Sequence, residues 1–309
     1  LKKSRQAVLR LDVGPQPLWV AAQELITSRE LNAWSDEMSR LPFVEKDLLG
    51  SSLLGQPIYK LRTTGAETRN YVFFIGRQHP PEVTGSLALM KFVETLFGET
   101  DLARRFRRRF NVVVVPLVNP DGVDAGHWRH NFGGVDLNRD WDRFHQPETR
   151  ALRDELLRFT SPCGPRLFLF LDFHSTHRDI FYTQPAHKKT NPEGFTEKWL
   201  DAVEQRFPDY RLRRVGSHGS RLKTSKRWCY QVLGVPSITY EIGDHTDRTL
   251  IDRITEGAAE EMMRVLMPPL PHAGEGWGEG VSNFKTRPEV SAPDTAPAPR
   301  SESDRPAPW

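Results

Sequence analysis

Four near-continuous apolar runs, separated by helical patterns, are the feature that most restricts how this chain can fold. The runs cover residues 71–75, 112–115, 167–171 and 237–240. Strands with apolar residues at almost every position are typical of a mostly parallel sheet that is covered on both faces. Amphipathic helical patterns lie between or after them, at residues 83–97, 147–159, 195–207 and 251–267. The sequence therefore predicts an α/β fold: a mixed, mostly parallel twisted sheet with helices on both faces.

The composition excludes several classes of protein. With 309 residues, of which 38% are hydrophobic and 27% charged, the chain is neither disordered nor fibrous. A net charge of +3 gives no reason to expect a nucleic-acid partner, and the arginine-rich run at residues 104–109 is better explained as a solvated helix end. The two cysteines, Cys163 and Cys229, exclude a disulfide scaffold.

The apolar runs are too short for a membrane span, which needs about 20 residues. The first residues also lack the uninterrupted apolar stretch of a signal peptide. We therefore expect a soluble chain with no membrane partner. The compartment stays open, with the cytoplasm as the default expectation, and so does the oligomeric state.

Three segments differ in character. Residues 1–30 include an alternating stretch at 9–13 before the turn at Gly14, which predicts a strand and the remnant of an N-terminal β element. Residues 31–267 carry the α/β pattern and form the predicted catalytic domain. Residues 268–309 are rich in proline and glycine, and we expect them to form a disordered tail.

Polar residues with catalytic potential follow each of the four predicted strands. His79 and Glu82 follow the first strand, and an Asn-Pro-Asp-Gly sequence at residues 119–122 follows the second. His174 follows the third strand and Glu241 the fourth. Because the carboxyl ends of parallel strands meet at one edge of a sheet, two histidines and two glutamates are expected to converge there.

The spacing of His79 and Glu82 predicts a loop. His79 precedes a proline, which favours extended geometry, and Pro81 suits the first position of a helix. A loop that turns from strand into helix can direct an imidazole and a carboxylate to one point. With His174 they form the two-histidine, one-glutamate set of catalytic zinc sites, which leaves one coordination position open. A lone histidine is more often an ordinary polar residue, but convergence favours one zinc ion per chain.

Five short sequence elements together resemble a known family. They are His-x-x-Glu at 79–82, Asn-Pro-Asp-Gly at 119–122, Val-Asp-x-Asn-Arg at 135–139, Asp-x-His-Ser at 172–175 and Tyr-Glu at 240–241. In this order they resemble the zinc metallocarboxypeptidases of the carboxypeptidase A type, over residues from about 48 to 267. The resemblance implies the zinc carboxypeptidase, or phosphorylase/hydrolase-like, α/β/α sandwich.

The resemblance also implies a role for individual residues. His79, Glu82 and His174 would bind zinc, and Asp136 would orient His79. The remaining roles concern the substrate: Asn138 and Arg139 would hold its terminal carboxylate, Arg129 would polarise the scissile carbonyl, and Glu241 would move a proton from water to the leaving amine. These assignments agree with side-chain chemistry, since guanidinium groups pair well with carboxylates and stabilise a developing oxyanion.

The chain departs from the digestive members of that family. Pro81 stands where those enzymes have an arginine, and His-Pro-Pro-Glu is more similar to the His-Pro-Gly-Glu of the cytosolic carboxypeptidase branch, which removes glutamates from protein tails. A tyrosine at the spacing of the family's mobile active-site tyrosine is missing, so neither Tyr182 nor Tyr230 is assigned that part. Counting back about fifteen positions from Glu241, to where the family places its specificity residue, reaches Lys226, with Lys223 and Arg227 beside it.

Three functional hypotheses follow. The first is a zinc-dependent exopeptidase that removes C-terminal residues from peptides or protein tails, with a preference for acidic ends if Lys226 lies in the pocket. The second is a related zinc amidohydrolase that acts on murein peptides or N-acyl amino acids. The third is a binding protein with a vestigial site, against which the complete ligand set, Arg129 and Glu241 argue.

Overall fold

The computed structural model describes residues 8–66, 68–185, 187–216 and 222–267. The tail predicted for residues 268–309 lies outside these ranges. The helices are α1 (Ser28–Met38), α2 (Val83–Phe97), α3 (Asp101–Arg109), α4 (Pro120–Asp124), α5 (Pro147–Leu157), α6 (Phe195–Arg206), α7 (Ser225–Leu233) and α8 (Arg248–Leu266). The strands are β1 (Val44–Ser51), β2 (Pro57–Thr63), β3 (Asn70–Gly76), β4 (Asn111–Val115), β5 (Arg166–Thr176), β6 (Ile180–Tyr182), β7 (Arg214–Val215) and β8 (Ser237–Gly243).

The strands form one sheet in the order β1-β2-β4-β3-β5-β8-β6-β7. Its four central strands, β4, β3, β5 and β8, run parallel to one another. Antiparallel pairs occur between β1 and β2, between β2 and β4, and between β6 and β8. The predicted mixed, mostly parallel sheet is confirmed in its central strands, and the antiparallel strands on either side of them were not predicted.

Helices cover both faces of the sheet, as predicted. One apolar core joins α2, α3, α6 and α8 to the sheet and includes Phe74, Phe92 and Trp199. The core on the other face joins α5 and α7 to the sheet and includes Phe73, Phe170 and Trp141. Phe73 and Phe74 are adjacent in β3 and belong to different cores, because successive strand residues point to opposite faces. None of the helices in the described ranges combines the length and apolar character that crossing a bilayer requires.

Helix α2 packs unusually close to β5. A Cβ atom at Gly85 would lie 2.7 Å from the backbone oxygen of His174, so only glycine permits this approach. The backbone N–H of Gly85 also donates to the Ser175 hydroxyl at 2.8 Å. The close contact brings the residues before α2 directly beside the end of β5.

Two local predictions are wrong. Residues 9–13 form no strand and are exposed; α1 instead begins at Ser28, where Thr27 and Glu30 form a capping box. The alternating pattern at 9–13 finds no neighbouring strand in the described chain, so it cannot form a ladder. Pro81 does not open α2, because residues 79–81 form a turn in which Glu82 N–H bonds the His79 carbonyl at 3.3 Å and the helix begins at Val83.

Strands β5 and β8 continue beyond the ends that the apolar runs indicated. β5 includes His174 and ends at Thr176, and β8 includes Glu241 and ends at Gly243. The two strands pair with each other as far as these ends. This pairing satisfies the backbone hydrogen bonds of polar residues whose sequence pattern is typical of a loop. Both functional candidates therefore lie on rigid strands.

Candidate active site

The three predicted metal ligands lie together at the carboxyl edge of the sheet. His79 occupies the turn after β3, Glu82 immediately precedes α2, and His174 lies in β5. Glu82 bridges the two imidazoles: its Oε1 is 2.7 Å from His79 Nδ1, and its Oε2 is 2.6 Å from His174 Nδ1. One ligand atom from each residue lies within 4.8 Å of the others.

Each histidine is held from behind by an aspartate. His79 Nε2 lies 2.9 Å from Asp136 Oδ1, and His174 Nε2 lies 2.9 Å from Asp172 Oδ2. A carboxylate at Nε2 selects the tautomer that carries its proton there, which leaves the Nδ1 lone pair free for a metal. Both Nδ1 atoms therefore present lone pairs to the same region as the Glu82 oxygens.

Two nitrogens and one carboxylate oxygen are the donor set of catalytic zinc sites, so the residues present fit a zinc ion. Burial raises the pKa of Glu82, but the two imidazoles lower it more, to about 2, so the ligand is a carboxylate. Burial lowers the pKa of His174, but Asp172 and Glu82 raise it well above its ordinary value. Metal binding at this cluster must therefore displace protons.

Glu241 lies beside the metal cluster on β8. Its partner across the parallel β5–β8 pair is His174. Burial raises the pKa of Glu241 to about 7, and Glu82 adds to the rise while His174 opposes it. Its Oε2 atom is buried and accepts no hydrogen bond from the described residues. A dication in the cluster would pull this pKa down, because positive charge favours the carboxylate.

The substrate-side cations are fixed by the residues that orient the metal ligands. Arg129 Nε donates to Asp136 Oδ2 at 2.7 Å, on the same carboxylate that holds His79. The Asn138 N–H donates to Asp136 Oδ1 at 3.0 Å, and Arg139 donates to the Asn138 carbonyl at 2.8 Å. Asp136 thus joins one metal ligand to the three residues expected to bind the substrate backbone.

A polar cavity of about 290 Å³ contains all the residues predicted to contact metal or substrate. Its walls are formed by His79, Glu82, Arg129, Asn138, Arg139, His174, Ser175, Thr176, Tyr182, Leu222, Thr224, Lys226, Thr239 and Glu241. Asp136, which was predicted to act through His79, lies behind this wall.

Lys226 lines the cavity from α7, next to Thr224 at the start of that helix. Its side chain is buried and donates to the Thr183 carbonyl at 3.1 Å. Burial lowers its pKa to about 8. Neither neighbouring cation lines the cavity: Lys223 pairs with Asp142, and Arg227 donates to Gln231 at 3.1 Å.

Histidines near the motifs remain outside the metal cluster. His127 stacks on Phe132 with ring centroids 5.7 Å apart, and His177 is exposed and contacts Thr176. In the part of the chain that the structure describes, His79, Glu82 and His174 form the group able to hold a metal ion.

Sequence reasoning missed two residues at the site. Asp172 contacts His174, and its position two residues earlier on the same strand places both on one side of the sheet, which was a usable signal. Tyr182 lines the cavity from β6 and lies opposite Thr239 in the β6–β8 register. Burial and the charge of Glu241 raise the Tyr182 pKa, which keeps the phenol protonated at neutral pH.

A parallel sheet that brings a His-Glu-His set and a buried glutamate into one cavity is typical of metallohydrolases. A comparison with protein families matches residues 31–262 to the zinc carboxypeptidase family, Peptidase_M14, which is more than half of the chain. The chain therefore belongs to the zinc carboxypeptidase family, a family of metallocarboxypeptidases.

Curated relatives support the resemblance to the cytosolic branch. Cytosolic carboxypeptidase 6 of Caenorhabditis elegans is 25% identical over 172 residues, which are 52% of this chain and 38% of the relative. Cytosolic carboxypeptidase 1 of Xenopus laevis is 38% identical over 126 residues, which are 40% of this chain and 10% of the relative. The chain thus spans well under half the length of these two proteins.

Solved structures show the same fold. The crystal structure of a metallo-carboxypeptidase from Burkholderia cenocepacia superposes with a TM-score of 0.65 at 22% identity. The match covers 78% of this chain and 68% of that one. The predicted carboxypeptidase-type α/β fold is therefore confirmed.

Proposed function

We propose that the protein is a zinc-dependent carboxypeptidase that hydrolyses the last peptide bond of peptides or protein tails. The observation that carries this proposal is the shared cavity: the metal cluster, a buried glutamate and two arginines line one space of about 290 Å³. A protein that only binds peptides would need the two arginines, whereas an enzyme that hydrolyses them also needs a base beside the metal position. Glu241 supplies that base, which argues against a vestigial site.

His79, Glu82 and His174 would hold the zinc ion, which when bound supplies Lewis acidity and lowers the pKa of water. Glu241 takes a proton from the attacking water and later delivers it to the leaving amine. Its burial suits this task, because burial raises the pKa of Glu241 and so opposes the lowering by a bound dication, which helps the carboxylate to accept the proton. Asp136 keeps the His79 imidazole in the tautomer that binds metal.

The remaining side chains position the substrate. Asn138 and Arg139 line the cavity as donors suited to the terminal carboxylate, which would define the enzyme as an exopeptidase. Arg129, fixed by its 2.7 Å contact with Asp136, would donate to the scissile carbonyl as negative charge develops on its oxygen. Because Asp136 also holds His79, the carbonyl donor and one metal ligand are set relative to each other.

The substrate class that we propose has an acidic C-terminal residue. Lys226 places an ammonium group in the cavity wall, where Thr224, Thr239 and Tyr182 add hydroxyl groups. A side-chain carboxylate pairs with such a set of donors, whereas an apolar end group makes no hydrogen bond to them. The similarity to cytosolic carboxypeptidases is in keeping with this choice.

The test combines metal analysis with a library of peptides that differ only in the last residue. We expect one zinc ion per chain and release of C-terminal glutamate or aspartate ahead of other residues. Cleavage of murein peptides or N-acyl amino acids, with peptides of the library left intact, would favour an amidohydrolase. Zinc binding without hydrolysis of any of these would favour a binding protein.

A further inference from the structure

A buried hydrogen-bond network extends from the contact between Asp172 and His174 to residues that have no role assigned so far. Its centre is Asp172, which is fully buried in β5. One oxygen of Asp172, Oδ2, receives three donors: Gln78 Nε2 at 2.6 Å, His174 Nε2 at 2.9 Å and the Ser225 hydroxyl. These donors come from the turn after β3, from β5 itself and from the start of α7.

The network fixes which group accepts the proton of His174. Asn138 Nδ2 lies 3.2 Å from His174 Nε2 and is the other candidate. However, Asn138 Oδ1 accepts the Ser225 N–H at 3.0 Å, so the amide nitrogen faces His174 and can only donate. When His174 Nδ1 binds metal, its Nε2 carries the proton and needs an acceptor. Asp172 is that acceptor.

The orientation of Gln78 is fixed in the same way. Its Oε1 accepts the Trp141 indole N–H at 3.0 Å, so its amide nitrogen is the atom that donates to Asp172. Gln78 and Ser225 therefore hold the carboxylate from two elements that the chain separates widely. The carboxylate cannot rotate away from His174 without breaking buried hydrogen bonds, each of which is expensive to leave unsatisfied.

We propose that Asp172 is a positioning residue that orients His174 for metal binding, and that Ser225 acts by holding Asp172 in place. The inference rests on the proposed function only in taking the bound ion to be zinc. It predicts that the charge of Asp172 affects metal affinity directly, whereas Ser225 affects it through Asp172.

The test measures the zinc dissociation constant by competition with a chelator, using the full chain. Asp172→Asn keeps the size of the side chain but removes its charge, and we expect it to raise the constant ~10- to 100-fold. Ser225→Ala removes one donor and keeps the N–H that orients Asn138, so a smaller rise of about 3- to 10-fold is expected. Ser225→Ala also provides a second test if Asp172→Asn folds poorly.

Asp140→Asn is the matched control. Asp140 is a buried aspartate that also accepts three donors, from His145, Gln146 and Thr149, but it contacts no metal ligand. The Asp140→Asn variant should bind zinc as tightly as the unaltered protein, even if its unfolding temperature changes. An equal loss of zinc affinity in Asp140→Asn would overturn the inference, because it would show a general effect of removing a buried charge.

The double variant tests whether Ser225 acts through Asp172. Two substitutions that act on one interaction are non-additive, so Asp172→Asn with Ser225→Ala should match Asp172→Asn alone within about twofold. Multiplied effects, or Asp172→Asn with unchanged affinity, would contradict the inference and leave the proposed function standing. Zinc binding without peptide hydrolysis in the unaltered protein would contradict the proposed function and leave the role of Asp172 standing.

Discussion

Two groups of residues that line the cavity, here called its metal end and its selectivity end, are built in different ways. The metal end takes its side chains from the parallel centre of the sheet, with His79 after β3 and His174 and Glu241 on the paired strands β5 and β8. The selectivity end, which is proposed to face the substrate side chain, takes Tyr182 from the antiparallel strand β6 and Lys226 from α7. At the metal end, His174 and Glu241 are neighbours in a regular ladder, and His79 and Glu82 follow a strand of the same sheet. The selectivity end instead joins a helix to a three-residue strand.

Under the proposed function, this difference separates chemistry from selectivity. The ladder fixes the positions of His174 and Glu241, and each histidine is further held by an aspartate. The selectivity end can change with a single side chain on α7 without altering that ladder. Variants at the metal end should therefore abolish the reaction, while variants at the other end should change which peptides react.

The largest expected effect is at the metal ligands. His79→Ala and His174→Ala each remove one of three donors, so we expect purified protein to lose its zinc and turnover to fall by ~10³ or more, since a metal contributes several kcal/mol to the barrier. Metal analysis and peptide hydrolysis measure the two effects. The control is His177→Ala, an exposed histidine outside the cluster, which should keep its zinc. Stoichiometric zinc in either ligand variant would contradict the assignment.

The second effect concerns Glu241. Glu241→Gln keeps the shape of the side chain but cannot accept a proton, so turnover should fall by ~10² to 10⁴ with zinc content unchanged. KM for the same peptide should change little, because the base acts in the chemical step. A fall in turnover with little change in KM would sharpen the contrast between the metal end and the selectivity end. Near-normal turnover in this variant would place the base elsewhere.

The same contrast explains how much the sequence could predict. The apolar runs of β3, β4, β5 and β8 identified the parallel centre, and helix α2 was predicted with its observed bounds. Once the centre is known, the edge where His79, Glu82, His174 and Glu241 meet follows from the parallel arrangement. By contrast, β1 and β2 mix buried with exposed or half-buried residues, and β6 has only three residues, so no long apolar run indicated these strands.

Contacts between residues that lie far apart in the chain were the other feature that the sequence could not predict. Asp172 and Ser225 are 53 residues apart, and their contact exists only because α7 packs beside β5. Likewise Lys226 was reached by counting from Glu241, while Tyr182 was left unassigned because it does not stand at the family's spacing before Glu241. Its place in the cavity depends on the pairing of β6 with β8, which was not predicted. Local patterns indicate elements, but such pairs depend on tertiary packing.

The third effect is smaller and concerns selectivity. Lys226→Met removes the ammonium while keeping an unbranched side chain, and we expect kcat/KM for peptides ending in glutamate to fall about 10- to 100-fold, as for loss of a hydrogen bond to a charged group. Peptides ending in glutamine should be affected much less. Lys223→Met is the matched control, because Lys223 pairs with Asp142 outside the cavity. Equal losses for both peptides would place the selectivity elsewhere.

The smallest effect is the pH dependence of that selectivity. Burial lowers the pKa of Lys226 to about 8, so the ammonium is present below this pH and is lost as pH rises through it. The preference for glutamate over glutamine should therefore be full near pH 7 and should fall, by up to about tenfold, by pH 9 in the free enzyme. Measuring kcat/KM for the two peptides at each pH and taking their ratio removes effects that both share, including titration of Glu241 in the same cavity.

The control for this pH dependence is Lys226→Arg, whose guanidinium stays charged throughout the range. In that variant any remaining preference for glutamate should be flat between pH 7 and 9, while Lys226→Met should show little preference at either pH. A bound carboxylate stabilises the ammonium, so the decline should occur at higher pH in kcat than in kcat/KM. A ratio that is flat in the unaltered enzyme, or that declines equally in Lys226→Arg, would show that another group at the selectivity end supplies the charge.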